Sequence, residues 1–399
     1  MEQEAAVLRI ARQELARGRP GRAREHYEAL LAEDPDHVEA LVGLGYVALT
    51  AGSIDEARGL VERLVPIAPD HVEGQILRII VAEAAGDLAA VDQMVALSEA
   101  YPDSCLAAYH AGRLLAATGR GEAALGPLRR AADLVDQVGR RCDILNLMGY
   151  VLQDLDRVGE AIRAHRRAVE IHPAQAEAYA GLADACARSG DWNTALAVLD
   201  DAVAKVGADD RPAIWQKQAE LLASLGDLSA AASLAEQACK RAPRNAQGWL
   251  NLSSLRLLDG DTDGAQQAAE RAVELAPKAW KPHFQLGMVH DAAARGNRAE
   301  VAYRKAVDRA PDRWEPTNNL GLVMLAHGSP ADIVEAEQLF RRAAELAGPG
   351  EVQPRFNLAR TLVRAGRPDD CRQLCEELLA GELSPDLRER LEALVAELS

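Results

Sequence analysis

Large aromatic side chains are scarce, with 3 Phe, 5 Trp and 7 Tyr in 399 residues. A core without them must be built from Ala, Leu and Val. That composition suits closely packed helices, because Ala costs least to place in a helix. Apolar residues still make up 48%, which excludes a disordered chain. Long apolar runs are missing too. The most apolar stretch, Ile76 to Ala85, is broken by Arg78 and Glu83 and falls far short of the ~20 residues that span a bilayer. The start, Met1-Glu2-Gln3-Glu4-Ala5-Ala6-Val7, has no basic segment followed by an apolar one, so no secretory signal is expected. Basic residues are outnumbered 45 to 61, a net charge of -16. That balance argues against nucleic acid and against an anionic membrane as partner. The six cysteines form no CxxC pair. Cys371 and Cys375 share a helix face but have no further Cys or His ligand close in sequence, so no metal site is expected. The cytoplasm is the expected compartment.

What the sequence does contain is a repeat. Prolines stand at 35, 69, 102, 173, 243, 277 and 311. Several steps are 34, and the two long gaps are near twice that. Each proline ends an Ala- and Leu-rich segment such as Ala268-Ala269-Glu270-Arg271-Ala272-Val273-Glu274-Leu275-Ala276-Pro277. Proline cannot continue a helix, so it marks the stop. Between prolines a second helical segment ends in Gly plus a polar residue, at Gly52, Gly86, Gly119, Gly190, Gly226, Gly260 and Gly366. Glycine there supplies a left-handed exit from the helix.

The motif residues recur in register. They read Leu41, Leu44-Gly45, Ala57 and Pro69, then Tyr179, Leu182-Ala183, Ala195 and Ala202, then Trp215, Ala219, Ala231, Ala238 and Pro243. They return at Trp249, Leu252, Ala265 and Ala272, at Leu286-Gly287, Ala299, Tyr303 and Ala306, and at Leu320-Gly321, Ala336, Phe340 and Ala343. This pattern resembles the tetratricopeptide repeat (TPR). The resemblance implies an all-α, right-handed TPR solenoid of about eleven helix-turn-helix units over residues 1–383, with a capping helix over 384–399. Ser384 suits its N-cap, Pro385 its first position and Asp386 its first turn. No repeat buries its apolar face alone, so the repeats stack into a continuous core. Three repeats depart from the pattern. The third carries Arg78-Ile79 in place of Leu-Gly and is one residue short. The fourth lacks its proline and runs through Val135–Gly139. The tenth has about three extra residues in its helix-to-helix turn, around His327–Asp332.

Catalytic patterns are absent: no GxxxxGK[ST], HExxH or GxSxG. His283 and His290 lie two helical turns apart, about 10 Å, too far to share a metal, and are expected on the surface. His37 and His71 are 34 apart and read as copies of one turn residue. His165 stands where a large interface residue belongs. Asp200, Asp201, Asp209 and Asp210 read as solvated surface. The pairs Arg129-Arg130, Arg140-Arg141 and Arg166-Arg167 are expected to be matched by nearby acids. Neither a cofactor nor an enzymatic activity is expected.

Function is expected in the concave groove lined by the first helices of the repeats. The residue before the motif Leu reads Asn251, Gln285, Asn319 and Asn357 in the last four repeats. A side-chain amide both donates and accepts, so it can pair with any peptide bond. The series is similar to the asparagine ladder in the TPR superhelix of O-linked N-acetylglucosamine transferases. It covers only four repeats, one rung is Gln, and no glycosyltransferase domain is present, so no activity is carried over. Two readings stay open: a ladder that contacts a peptide, or amides that bond the next repeat and stiffen the array. Phe284, Met288, Leu322 and Phe356 would add apolar grip. The family's carboxylate clamp is not matched, since only Lys217 and Asn251 are found. In the first half the groove positions are aliphatic and aromatic: Val42, Tyr46, Leu49, Ile76, Ile80, Tyr109 and Tyr150. They form a second candidate partner patch. The expectation is a non-enzymatic adaptor for a polypeptide segment or partner protein, of basic character if the net charge selects it. The alternatives are a self-assembling scaffold, with a homo-oligomer, or an accessory subunit that presents a protein or peptide substrate to a separate enzyme. Neither nucleic acid nor membrane insertion is expected.

Overall fold

The computed structural model describes residues 2–381 and 383–398. Among the described residues there are twenty-three helices and no strand. They divide between two compact units, Met1–Val206 and Gly207–Ser399. The first holds α1 (Glu2–Ala16), α2 (Pro20–Glu33), α3 (Val38–Thr50), α4 (Ile54–Ile67), α5 (Val72–Ala84), α6 (Ala90–Ala100), α7 (Cys105–Ala117), α8 (Gly121–Leu134), α9 (Val138–Asp154), α10 (Val158–Ile171), α11 (Ala176–Arg188) and α12 (Trp192–Lys205). The second holds α13 (Arg211–Ser224), α14 (Leu228–Arg241), α15 (Ala246–Leu258), α16 (Thr262–Leu275), α17 (Trp280–Ala292), α18 (Gly296–Arg309), α19 (Trp314–His327), α20 (Pro330–Ala347), α21 (Gln353–Arg364), α22 (Pro368–Leu379) and α23 (Pro385–Ala396). Within each unit every helix packs on the next, so α1 to α22 form eleven helical hairpins and α23 follows them.

The turns explain the spacing. Gly52, Gly86, Gly119, Gly190, Gly226, Gly260 and Gly366 all have positive φ, as the left-handed exit requires. Two hairpins make the same turn without glycine, at Asp156 (φ 58) and Ala294 (φ 55). Four first helices, α3, α5, α7 and α15, begin on side-chain caps. His37 Nδ1 accepts the Ala40 N–H (3.4 Å), His71 Nδ1 accepts the Gly74 N–H (3.2 Å), and Ser104 and Asn245 do the same for Ala107 and Gly248. The two histidines are therefore copies of one structural turn residue.

Packing follows the motif. Ala57, Ala161, Ala168, Ala195, Ala202, Ala231, Ala238, Ala265, Ala272, Ala299, Ala306, Ala336 and Ala343 are all fully buried, which brings paired helices close. In several repeats a large residue of the second helix fills the gap beside the first helices, among them Tyr27, His165, Tyr303 and Phe340. His165 shows how: it lies between Gly149 of its own repeat and Gly181 of the next, and a Cβ at either would collide with the imidazole. The core is a series of clusters along each unit rather than one centre.

The irregular repeats resolve locally. In the third, Ile79 takes the glycine position and is buried, while Arg78 is exposed; its second helix, α6, has only 11 residues, and Leu88 ahead of it is exposed. In the fourth, α8 stops at Leu134 and α9 starts at Val138 and runs for 17 residues. In the tenth, the extra residues do not enlarge the turn. They lengthen α20 to 18 residues, held by a capping box between Ser329 and Asp332. The last helix, α23, starts as expected: Ser384 Oγ accepts the Leu387 N–H (3.4 Å) and Pro385 is its first residue. Among the described residues no helix is long and apolar enough to cross a membrane.

Candidate interaction surface

Tyr46 and Ile80 are the ninth residues of α3 and α5, so they take the same position on successive first helices. Leu49 lies one turn beyond Tyr46. Tyr109 and Tyr150 continue the face on α7 and α9. All five are half-buried. The Tyr46 hydroxyl is buried and has no hydrogen-bond partner among the described residues. Burial, with the Glu73 carboxylate adding to it and Arg140 opposing, pushes the Tyr46 phenol well above its usual value. Two members of the expected patch are placed elsewhere. Val42 and Ile76 are buried at 3% and 0% and belong to the core. Both point into the repeat stack, where neighbouring helices take their side chains.

The amide series also divides. Gln285 is buried, and its Nε2 donates to Ser253 Oγ of the previous repeat (3.2 Å). Asn357 is buried as well; its Nδ2 donates to Asn318 Oδ1 (2.9 Å) and its Oδ1 accepts from Gln353 (3.3 Å). Their amides are committed to neighbouring side chains, so they present no open rung. Asn251 and Asn319 are half-buried. Asn251 accepts from Gln247 Nε2 (2.8 Å), and Asn319 makes only long contacts, to Asn318 (3.3 Å) and to the Tyr303 hydroxyl (3.5 Å). Phe284, Met288 and Leu322 are half-buried near them, and the Phe284 ring packs on Trp280 and Tyr303. Phe356 is not open: it is 4% exposed, and the Arg390 guanidinium of α23 sits 4.5 Å from its ring centroid.

Sequence reasoning missed a buried polar network around His165. The ring is fully buried. Nδ1 lies 2.9 Å from Asn146 Oδ1, and Nε2 lies 3.0 Å from Gln153 Nε2, which also reaches the Gly181 carbonyl (3.2 Å). An amide oxygen only accepts and an amide nitrogen only donates, so this geometry selects the neutral ring with its proton on Nδ1. Burial lowers its pKa to about 4. His283 and His290, expected on the surface, are buried, and His283 Nε2 pairs with the Pro277 carbonyl (3.0 Å). The four aspartates 200, 201, 209 and 210 are exposed. Of the six cysteines five are buried, and only Cys105 is partly open. Of the arginine pairs expected to be matched by acids, only Arg167 makes an ion pair among the described residues, with Glu170; Arg130 bonds Ser98, Arg141 bonds the Val135 carbonyl, and Arg140 is exposed and makes no hydrogen bond or ion pair among the described residues. A wide-open cleft of about 960 Å³ lies over α16, α18 and the end of α19, and its Arg295 is already paired with Asp263 and Gln266.

Comparison with known proteins follows this geometry. Family models described as tetratricopeptide repeat match residues 8–72, 152–221, 212–255, 246–278 and 352–377, together more than half of the chain. No curated protein matches the sequence. Among solved structures, yeast Tom70 is similar at 14% identity, over 100% of this chain and 96% of that one, with a TM-score of 0.48. MamA from Desulfovibrio magneticus RS-1 is 23% identical over 43% of this chain and 94% of its own, with a TM-score of 0.38. The Cut9–Hcn1 hetero-tetramer of APC/C is matched at 13% identity over 100% and 90%, with a TM-score of 0.44.

Proposed function

The chain belongs to the tetratricopeptide-repeat family, and from that premise we propose that it is a non-enzymatic adaptor that holds a polypeptide segment of a partner protein in the groove of its first helices. One observation carries this reading. In the N-terminal unit, Tyr46, Leu49, Ile80, Tyr109 and Tyr150 leave a half-exposed aromatic and aliphatic face, and within it the Tyr46 hydroxyl is buried without a partner. A buried polar atom left unpaired costs about 1–3 kcal/mol. A bound peptide main chain offers the missing acceptor, and its side chains cover the apolar face. In the C-terminal unit, Asn251 and Asn319 are the polar contacts we retain, with Phe284, Met288 and Leu322 beside them. Gln285 and Asn357 stiffen the stack.

Site-specific photo-crosslinking tests the reading. A benzophenone side chain is placed at Leu49 or Met288 on the groove face, and at exposed Val301 on a second helix as control. Groove positions should capture one common partner from native lysate, and Val301 should not. Capture from Val301 alone would remove the groove from the account.

A further inference from the structure

The N-terminal unit contains a second, sharper feature. A cavity of about 250 Å³ opens between the starts of α7 and α9, lined by Cys105, Leu106, Tyr109, Val135, Arg140 and Ile144, with Asp143 on its rim. Its wall is almost wholly apolar. It is smaller than the roughly 300–1,000 Å³ of sites that enclose a whole small ligand, so it fits one anchoring side chain. A wider cleft of about 580 Å³ adjoins it, shares Cys105 and Leu106, and runs past Asp103 to Val72 and Glu73 at the start of α5. The two form a single trough across three successive first helices.

Charge gives the trough a direction. Arg140 stands at the cavity without a partner. Asp143 lines the same cavity and keeps its charge, but among the described residues it makes no ion pair with Arg140, and its Oδ1 accepts from Gln175 Nε2 (2.6 Å). At the other end, among the described residues, Asp103 makes no ion pair and Glu73 has only a long contact to Arg12 (3.7 Å). The trough therefore holds one unpaired cation, Arg140, beside the apolar cavity and is anionic beyond it.

We propose that this trough takes an extended segment of the partner polypeptide in which a large apolar residue enters the cavity, an adjacent Asp or Glu pairs with Arg140, and a basic residue lies toward Asp103 and Glu73. The proposal rests on the groove reading above and deepens it by naming the chemistry of the segment. The apolar side chain supplies the grip, and the flanking charges set its direction and register.

The test needs no known partner. A phage-displayed library of random heptapeptides is selected on the full chain, and in parallel on Arg140→Glu. Arg140 is exposed and unpaired, so the variant should keep the wild-type circular dichroism. Wild type should enrich peptides with a large apolar residue next to Asp or Glu. Synthetic copies should bind Arg140→Glu about tenfold more weakly. They should also slow alkylation of Cys105 by N-ethylmaleimide, because Cys105 lines both parts of the trough and the other five thiols are buried. Peptides that bind both proteins equally and leave Cys105 reactive would place the site elsewhere, overturning this proposal while the groove reading stands. Failure to enrich any peptide would overturn both.

Discussion

Replacing His165 by Phe should remove a block of acid sensitivity from the N-terminal unit. The wild-type ring is fully buried and held neutral between an acceptor on Nδ1 and a donor on Nε2. Its folded pKa is about 4 against an ordinary 6.5, with burial as the cause. A depressed histidine pKa means that the unfolded chain binds the proton first. Stability is therefore complete above about pH 6.5 and is lost as the pH falls toward 4. One pKa unit is about 1.4 kcal/mol, so the whole window is worth about 3 kcal/mol, of which about 2 kcal/mol is gone by pH 5. His110 is lowered to about 4 as well, by burial and then by Arg113, so the wild-type loss is larger than this one share. The variant isolates the His165 share. Phe leaves Asn146 and Gln153 without a ring partner, which lowers stability, but neither amide titrates, so the penalty is the same at both pH values. The assay is native-state hydrogen exchange of α10 and α11 at pH 7.5 and pH 5, corrected for intrinsic rates, because repeat arrays open locally. Wild type should lose about 2 kcal/mol more than the variant on acidification. Equal losses would refute the burial argument; a long-range proton–nitrogen spectrum showing the proton on Nε2 would refute the tautomer.

Three further outcomes are expected. Asn357→Leu should cost about 1–3 kcal/mol by leaving the buried Asn318 oxygen unpaired, while Asn318→Leu with Asn357→Leu should recover most of it in thermal melting; no recovery would mean that the amides do not act as a pair. His71→Ala should destabilise α5 by about 1 kcal/mol through loss of its N-cap, and His71→Asn should not, as read by hydrogen exchange at the start of that helix. Ala294→Gly should stabilise by about 0.5–1 kcal/mol, because the left-handed penalty of Ala exceeds the entropy cost of Gly; a lower melting temperature would show that the turn is not strained.

The repeat was legible because its signals are backbone signals. Proline stops and glycine exits act through φ and the missing N–H, whatever surrounds them. Where the same geometry arises without those residues, the sequence is silent. Asp156 and Ala294 turn left-handed only because the helices on either side fix the turn. Length was misread for a related reason. Three extra residues after His327 look like loop, yet Ser329 and Asp332 cap them into another turn of α20, and no periodicity distinguishes the two outcomes over so short a span. The trough did leave a trace: the fourth repeat lacks its proline, and α9 starts at Val138, so Val135 and Arg140 stand as walls beside α7.

The candidate site was harder, and the reason is a reciprocal fit between repeats. Gly43 and Gly181 stand at the position that Asn251, Gln285, Asn319 and Asn357 take in other repeats. In front of them lie Tyr27 and His165, each filling the space that a Cβ would need. In front of Asn251 and Gln285 the same second-helix position holds Ala235 and Ala269, so there is room for an amide. In front of Asn319 stands Tyr303, whose hydroxyl faces the amide at 3.5 Å. At Gly43 and Gly181 the neighbour across the repeat boundary thus excludes a side chain, whereas the large Tyr303 still leaves room for the amide of Asn319. Whether an amide there also reaches solvent depends on a second neighbour, and Ser253 and Asn318 decide that for Gln285 and Asn357 by drawing their amides inward. One sequence column therefore mixes two roles. Only the side chains around them separate the two, which is why Asn251 and Asn319 stay half-buried and the other two are buried.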